Sequence, residues 1–244
     1  MRNIKLTITY DGTDYRGWQV QKNGQTVQEE MERAVKKVFG KRHRIYGASR
    51  TDAGVHAEQQ VANFKVSSNI PIKSVQPALN AALPENIVVT GAEEVPVDFN
   101  SRFDAKSKLY RYRIINKKHR DPFAEKYSWR VSYQLDVPLM KKEAACLIGK
   151  HDFKSFQASD KRERASVRRI LSVDIKKNKE DITIDIKGDG FLYNMVRNIV
   201  GTLVDIGRGY LPPGSMKTVL KNKDRTKAGP TAPAKGLYLI NVNY

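Results

Sequence analysis

Cysteine is nearly absent from this chain. Cys146 stands alone among 244 residues, so neither an internal disulfide nor a multi-cysteine zinc site can form. Acidic residues are scarce as well, 26 against 44 lysines and arginines, which leaves a formal charge of +18 at pH 7. The sequence has no uncharged apolar run long enough to cross a bilayer, and its opening Met1-Arg2-Asn3-Ile4-Lys5-Leu6-Thr7-Ile8 carries no signal-type apolar core. These absences exclude a disulfide-stapled miniprotein and a membrane-spanning helix, and the expectation is a soluble, intracellular, cytoplasmic protein. Low-complexity tracts and short-period repeats are missing too. Apolar content is ordinary, 40% hydrophobic and 9% aromatic, and the length allows one large domain or two moderate ones around a real core. The excess charge therefore belongs to a folded protein. Its default partner is a polyanion, because each phosphate neutralised by Lys or Arg releases a counterion; an anionic membrane is the weaker alternative. Cys146, within Ala144-Ala145-Cys146-Leu147-Ile148, reads as core.

Periodicity outlines a mixed α/β chain. Ile4 to Tyr10 alternates as a half-buried strand does, and Asp11-Gly12 ends it. Thr26 and Glu29 form a capping box for a helix with Val27, Met31, Ala34, Val35 and Val38 at helical spacing, and Gly40 terminates it. Ile45 to Ala48 and Gln59 to Val66 read as strands, Ile72 to Leu83 as a helix kinked near Pro77, and Ile87 to Thr90 as a strand. A soft boundary near residue 100 separates an N-terminal half, 1–100, from a C-terminal half, 101–244. In the second half Leu109 to Ile115 alternates, Leu139 to Ile148 is helical, and Val167 to Ile175 with Ile182 to Ile186 form a hairpin. Met195 to Ile206 is an apolar-faced helix, and Leu237 to Val242 closes as a strand. A strand, an Asp-Gly turn, an aromatic residue and a helix recur in Ile8 to Val38 and in Ile182 to Val204, a hint of two similar halves.

The chemistry concentrates in the loop Gly47-Ala48-Ser49-Arg50-Thr51-Asp52-Ala53-Gly54-Val55-His56-Ala57. Arg50 sits two positions from Asp52, and a neighbouring guanidinium favours the ionised carboxylate. An ionised Asp on a stiff loop is what a nucleophile or general base requires. The same residue types also make an ordinary turn with a surface cation, and residue types alone leave both readings open. Asp52 and His56 are too few ligands for zinc, and no phosphate-binding loop, nucleophile elbow or full dinucleotide fingerprint occurs.

Two further segments carry candidate groups. In Ser107 to Arg113, period two sets Tyr110 and Tyr112 on one face and Arg111 and Arg113 on the other. That pattern fits base stacking beside phosphate contacts, or equally two core tyrosines backed by a solvated basic face. In the helix around Met195, Arg197 sits among apolar neighbours, where a buried cation needs an anionic partner; Asp52 is a candidate and a solvent-facing Arg the alternative. Basic density peaks at Lys161-Arg162-Glu163-Arg164 with Arg168-Arg169, at Lys117-Lys118-His119-Arg120, and from Lys221 to Lys227, a set suited to phosphate.

The loop from Gly47 to Ala57 resembles the catalytic signature of the bacterial tRNA pseudouridine synthase A family, also called tRNA pseudouridine synthase I. The likeness runs in order along the chain through Tyr10 to Gln28, Phe99 to Ala105, Lys108 to Tyr112, Asp121-Pro122-Phe123, His151-Asp152-Phe153, Phe191 to Gly201 and Ala232 to Leu237. The resemblance implies isomerisation of uridine to pseudouridine in the tRNA anticodon arm, typically at positions 38 to 40, with no metal, redox or nucleotide cofactor. By position, Asp52 matches the catalytic aspartate, Tyr110 the tyrosine lying against the target base, and Arg197 the basic partner of the aspartate. Arg50 matches the arginine that opens the stem and supports the flipped nucleotide, and Leu237 contributes to the apolar wall. The implied fold is α+β, a mixed α/β chain whose two similar halves share a largely antiparallel sheet with flanking helices and a central basic cleft, acting as a homodimer. Ala48 and Ser49 stand where the family often has other small residues. Two alternatives compete with this reading: a non-catalytic RNA-binding or ribosome-associated protein, and a synthase acting on ribosomal RNA.

Overall fold

A computed structural model describes residues 1–158 and 165–244. The first elements along the chain are β1 (Arg2–Tyr10), α1 (Val27–Phe39), β2 (Tyr46–Gly47), β3 (His56–Val66), α2 (Ile72–Asn80) and β4 (Ile87–Val95). Then come β5 (Ser107–Asn116), β6 (Trp129–Val131), α3 (Val137–Ala144), β7 (Gly149–Asp152), β8 (Val167–Asn178), β9 (Asp181–Gly188), α4 (Met195–Gly207), α5 (Ser215–Asn222) and β10 (Leu237–Asn243). The chain divides into one unit of residues 1–106 with 238–244 and another of residues 107–237. The break thus follows Lys106 rather than residue 100. The closing residues join the first unit because β10 runs parallel to β3, with Tyr238 opposite His56 and Leu239 opposite Ala57. Each unit is a mostly antiparallel sheet with flanking helices, in keeping with the α+β class expected.

In the first unit the strand order is β4, β1, β3, β10. The alternation of β1 buries Ile4, Leu6, Ile8 and Tyr10, and β3 pairs antiparallel with it, Ile4 opposite Phe64 and Leu6 opposite Ala62. β3 starts at His56, earlier than its alternation suggests, and residues from Gln60 to Phe64 are buried without interruption because this central strand is covered on both faces. At the start of α1 the Thr26 side chain accepts the Glu29 amide hydrogen, while the Glu29 carboxylate pairs with Arg33. Val27, Met31, Ala34 and Val35 point inward, and Gly40 ends the helix in the left-handed conformation. The strand expected over 45–48 shrinks to Tyr46–Gly47. Helix side chains take the backbone groups of Ile45 instead, its carbonyl accepting from Gln28 Nε2 at 3.1 Å and its amide reaching Glu32 Oε1 at 3.5 Å. α2 keeps Pro77 within it and ends at Asn80, whose side chain bonds both backbone groups of Val89 in β4.

In the second unit β5 pairs with β9, β9 with β8 and β8 with β7, all antiparallel, while β6 lies parallel to the end of β5. Tyr110 stands opposite Ile186 and Tyr112 opposite Ile184. The β8–β9 turn places Lys179 in the left-handed region at φ 54°. α3 is shorter than its apolar pattern suggests, and Ala145–Leu147 continue it as a 3-10 turn. Cys146 is half-buried there, between exposed Ala145 and Ile148, so the core reading holds for Ala144 and Leu147 but not for the thiol's whole surroundings. What burial it has pushes the thiol pKa up. Among the described residues no helix is long and apolar enough to cross a membrane.

α4 is the centre of this unit, and every residue of it except Arg197 is buried. It packs against the segment 228–232 so closely that a methyl group on Gly201 would lie 1.7 Å from the Pro230 carbonyl oxygen. Helix propensity alone favours Gly201→Ala by about 1 kcal/mol. The contact predicts the reverse, a loss of about 2–3 kcal/mol from forced displacement of backbone. Urea denaturation checks this prediction, and an unchanged or raised midpoint contradicts it.

Candidate active site

Two residues of the loop joining β2 to β3 keep it from behaving as an ordinary surface turn. Thr51 is buried, its hydroxyl 2.7 Å from the Tyr10 hydroxyl at the end of β1, and its carbonyl accepts the Trp18 amide hydrogen at 3.1 Å. Ser49 is held from the other side, since Gln60 Nε2 donates to its carbonyl at 2.8 Å and Gln60 Oε1 accepts its amide hydrogen at 3.2 Å. The Gly54 amide donates to the Tyr15 carbonyl, and the Val55 amide closes a turn on the Asp52 carbonyl. Asp52 is thus half-buried on a loop whose flanking backbone groups are engaged, and Arg50 is exposed.

The segment from Tyr10 to Trp18 reaches this loop backbone to backbone. Gly17 adopts φ 91°, and a Cβ there would lie 2.5 Å from the Thr51 carbonyl oxygen; a Cβ on Gly12 would lie 2.0 Å from that of Val55. Only glycine fits both positions without moving the loop. The Gly12 amide also donates to His56 Nδ1 at 3.1 Å, with Asp11 Oδ1 at the same distance, and the imidazole stacks on Tyr238 with centroids 4.7 Å apart. His56, weighed in the sequence as a ligand paired with Asp52, is therefore a buried brace at the base of the loop. Among the described residues no group of three or more His, Cys, Asp or Glu side chains is gathered to hold a metal ion.

The other candidates lie in the second unit. Tyr110 is only 5% exposed and meets Phe191 edge-on at 5.1 Å. Tyr112 is fully buried, and its hydroxyl donates to the Pro233 carbonyl at 2.7 Å. Burial raises the Tyr112 pKa far above the ordinary phenol, and the positive charge of Arg197 only partly opposes this, so that hydroxyl stays protonated. On the opposite face Arg111 forms a bidentate pair with Asp185, both distances 2.8 Å, and Arg113 is exposed. The half-buried Arg197 donates from Nε to the Ala232 carbonyl at 2.7 Å and from Nη1 to Asn194 Oδ1 at 3.0 Å. Asn194 opens α4 in the left-handed conformation at φ 58°. Leu237 is buried at the first position of β10.

Sequence reasoning missed the residues that hold Arg197 in place. Arg225, counted among the cations of the 221–227 cluster, turns inward. Its guanidinium donates to the Gly229 carbonyl at 2.9 Å, Asn198 Oδ1 at 3.0 Å and Thr231 Oγ1 at 3.1 Å, and burial lowers its pKa. These bonds fasten 228–232 to α4 and so fix the Ala232 carbonyl that Arg197 uses. No local pattern distinguishes this arginine from its exposed neighbours Lys221 and Lys227. Lys223 pairs with Asp152 at 3.2 Å and Lys117 with Asp121 at 2.7 Å. Lys161, Arg162 and Arg164 lie outside the described residues.

Comparison with known proteins supplies what geometry alone does not. A family model described as tRNA pseudouridine synthase matches residues 6–104 and 144–244. A protein named tRNA pseudouridine synthase A from Thermoanaerobacter sp. (strain X514) is 49% identical over 244 residues, covering 100% of both chains. Proteins of the same name from Caldicellulosiruptor bescii and Clostridium acetobutylicum are 46% and 44% identical, again over 100% of both chains. Among solved structures, one described as a Cbf5-Nop10-Gar1 complex aligns with 97% of this chain at 10% identity and TM-score 0.41. The present chain spans about half the length of that one, 48%. Full-length identity near one half, together with a family match that includes the signature loop, shows that the chain belongs to the tRNA pseudouridine synthase family.

Proposed function

We propose that this chain is a cofactor-independent synthase that converts uridine to pseudouridine in the anticodon arm of tRNA, at positions 38 to 40, working in the cytoplasm as a homodimer. The observation that carries the reading is the fixed backbone around Asp52, which presents one half-buried carboxylate on a braced loop. In the reaction the N1–C1′ bond of uridine breaks, the base turns, and C5 bonds to C1′. The hydrogen on C5 leaves to solvent and N1 gains one, so atoms balance without an oxidant or reductant. The target must first be extruded, at a cost of a few kcal/mol that phosphate contacts and stacking offset. The +18 charge serves that purpose.

In this reading Asp52 is the catalytic carboxylate, attacking the uridine or stabilising the sugar as the base detaches, and Arg197 is its basic partner. Tyr110 lies against the target base and Leu237 lines the wall beside it. Arg50, exposed on the braced loop, supports the opened stem. The fixed Ala232 and Asn194 acceptors leave the Arg197 guanidinium little freedom to swing, which supports its assignment to a preorganised site.

Tritium release from RNA carrying 5-tritiated uridine tests the function, since only loss of the C5 hydrogen liberates the label. Wild-type protein is expected to release tritium from tRNA without added cofactor, and Asp52→Asn to release none while binding tRNA within a few-fold of wild type. Release from ribosomal RNA alone overturns the target, and normal turnover by Asp52→Asn overturns the assignment of the carboxylate. A second prediction concerns the basic stretch at 161–164. Replacing Lys161, Arg162 and Arg164 by Ala is expected to weaken binding and to flatten its salt dependence by about 0.7 to 0.9 for each phosphate no longer neutralised. An unchanged slope in a salt titration places the RNA elsewhere.

A further inference from the structure

Among the described residues, four exposed aromatic rings carry a cation. Arg102 lies over Phe103, Arg44 over Tyr46, and Arg208 over both Tyr133 and Tyr210, at 4.6 to 5.4 Å from the ring centres. Phe123 differs. It is 91% exposed, the largest fraction among the exposed large apolar side chains, and among the described residues no cation covers its ring. Leaving such a ring in water forgoes hydrophobic stabilisation that burial would supply.

The loop between β5 and β6 is firmly built around this ring. The Phe123 amide donates to Asp121 Oδ1 at 3.0 Å, and Asp121 Oδ2 holds Lys117 at 2.7 Å. The Ala124 amide returns to the Asp121 carbonyl, the Tyr127 amide and the Ser128 hydroxyl both bond the Ala124 carbonyl, and Arg130 donates to the Lys118 carbonyl. Glu125 receives Lys235 at 2.7 Å and has Arg120 at 3.6 Å. That link ties the loop to the turn preceding Leu237, the same turn whose Pro233 carbonyl accepts the Tyr112 hydroxyl. Both acidic residues of the loop are thus paired, and the cations Lys118 and Lys126 remain exposed on either side of Phe123 in the sequence.

We infer that Phe123 is a stacking contact for an unpaired nucleobase of the substrate RNA, held ready by the 117–128 loop, with the flanking cations on the adjacent phosphates. A π-face held out of the core beside exposed cations matches the chemistry of an unpaired base on its backbone, which offers a flat ring and negative charge together. The inference rests on the synthase reading given above.

Its test compares Phe123→Ala and Phe123→Trp with wild type by tRNA binding at several salt concentrations. Phe123→Ala is expected to weaken tRNA binding about tenfold, the scale of one base stack removed, with an unchanged salt slope and an unchanged melting temperature. Phe123→Trp restores affinity, and its emission is quenched on adding tRNA beyond any change in wild type. Binding to a fully paired RNA duplex is the same for all three proteins. Equal tRNA affinity of Phe123→Ala and wild type overturns the inference, as does an equal loss on the duplex. A change in sedimentation of Phe123→Ala alone overturns it in favour of contact with a second copy of the chain. Tritium release by wild type, measured on the same preparation, separates failure of this contact from failure of the synthase reading.

Discussion

Direct approach of backbone to backbone around Asp52 is the constraint on which the first unit depends. The carbonyls of Thr51 and Val55 come so close to Gly17 and Gly12 that no Cβ fits at either glycine. A loop fastened through side chains alone would carry several rotatable bonds between each anchor and the carboxylate. Here the anchors are peptide groups and the buried Thr51 side chain, with Gln60 closing the far side. A carboxylate on such a loop is already ordered in the free protein, the fixity that the role proposed for Asp52 requires. The surrounding elements are arranged to serve it: β1 supplies Tyr10, β3 supplies Gln60, and the parallel pairing of β10 with β3 begins at His56, where the loop ends.

The second unit solves a related problem by other means. Arg197 is the one residue of α4 that is not buried, and Asn194 Oδ1 and the Ala232 carbonyl, the latter in an irregular segment, accept from it. Irregular backbone is a poor foundation unless its polar groups are satisfied. Arg225 donates to the Gly229 carbonyl, Thr202 Oγ1 accepts the Gly229 amide hydrogen and the Arg197 carbonyl that of Ala232, while Tyr112 holds the next turn through Pro233. The inward arginine accepts a desolvation cost in return for several hydrogen bonds to neutral acceptors, and it stiffens the segment that Arg197 leans on.

Much of this architecture is legible in local periodicity. The alternation in β1 and β5, the cap and apolar stripe of α1 and the apolar face of α4 belong to single segments, and each element lies where its pattern places it. The signature loop is legible for a different reason, since its residues match a family motif in order. What escapes the sequence depends on residues far apart in the chain. Nothing near Leu237 shows that β10 pairs with β3, nothing near Lys221 shows that Arg225 turns inward, and nothing in Gly12 or Gly17 names the carbonyls they approach. The shortened strand at Tyr46 is of the same kind, because the competitors for its backbone are side chains from α1.

The central claim is that the Asp52 loop is held in place before RNA binds. Amide hydrogen exchange in the free protein tests it most directly. The account predicts that the amides of Trp18 and Gly54, which donate to the Thr51 and Tyr15 carbonyls, exchange as slowly as ladder amides of β1 such as that of Leu6. Exchange of those two amides at the rate of an exposed loop, with the β1 ladder still protected, contradicts it.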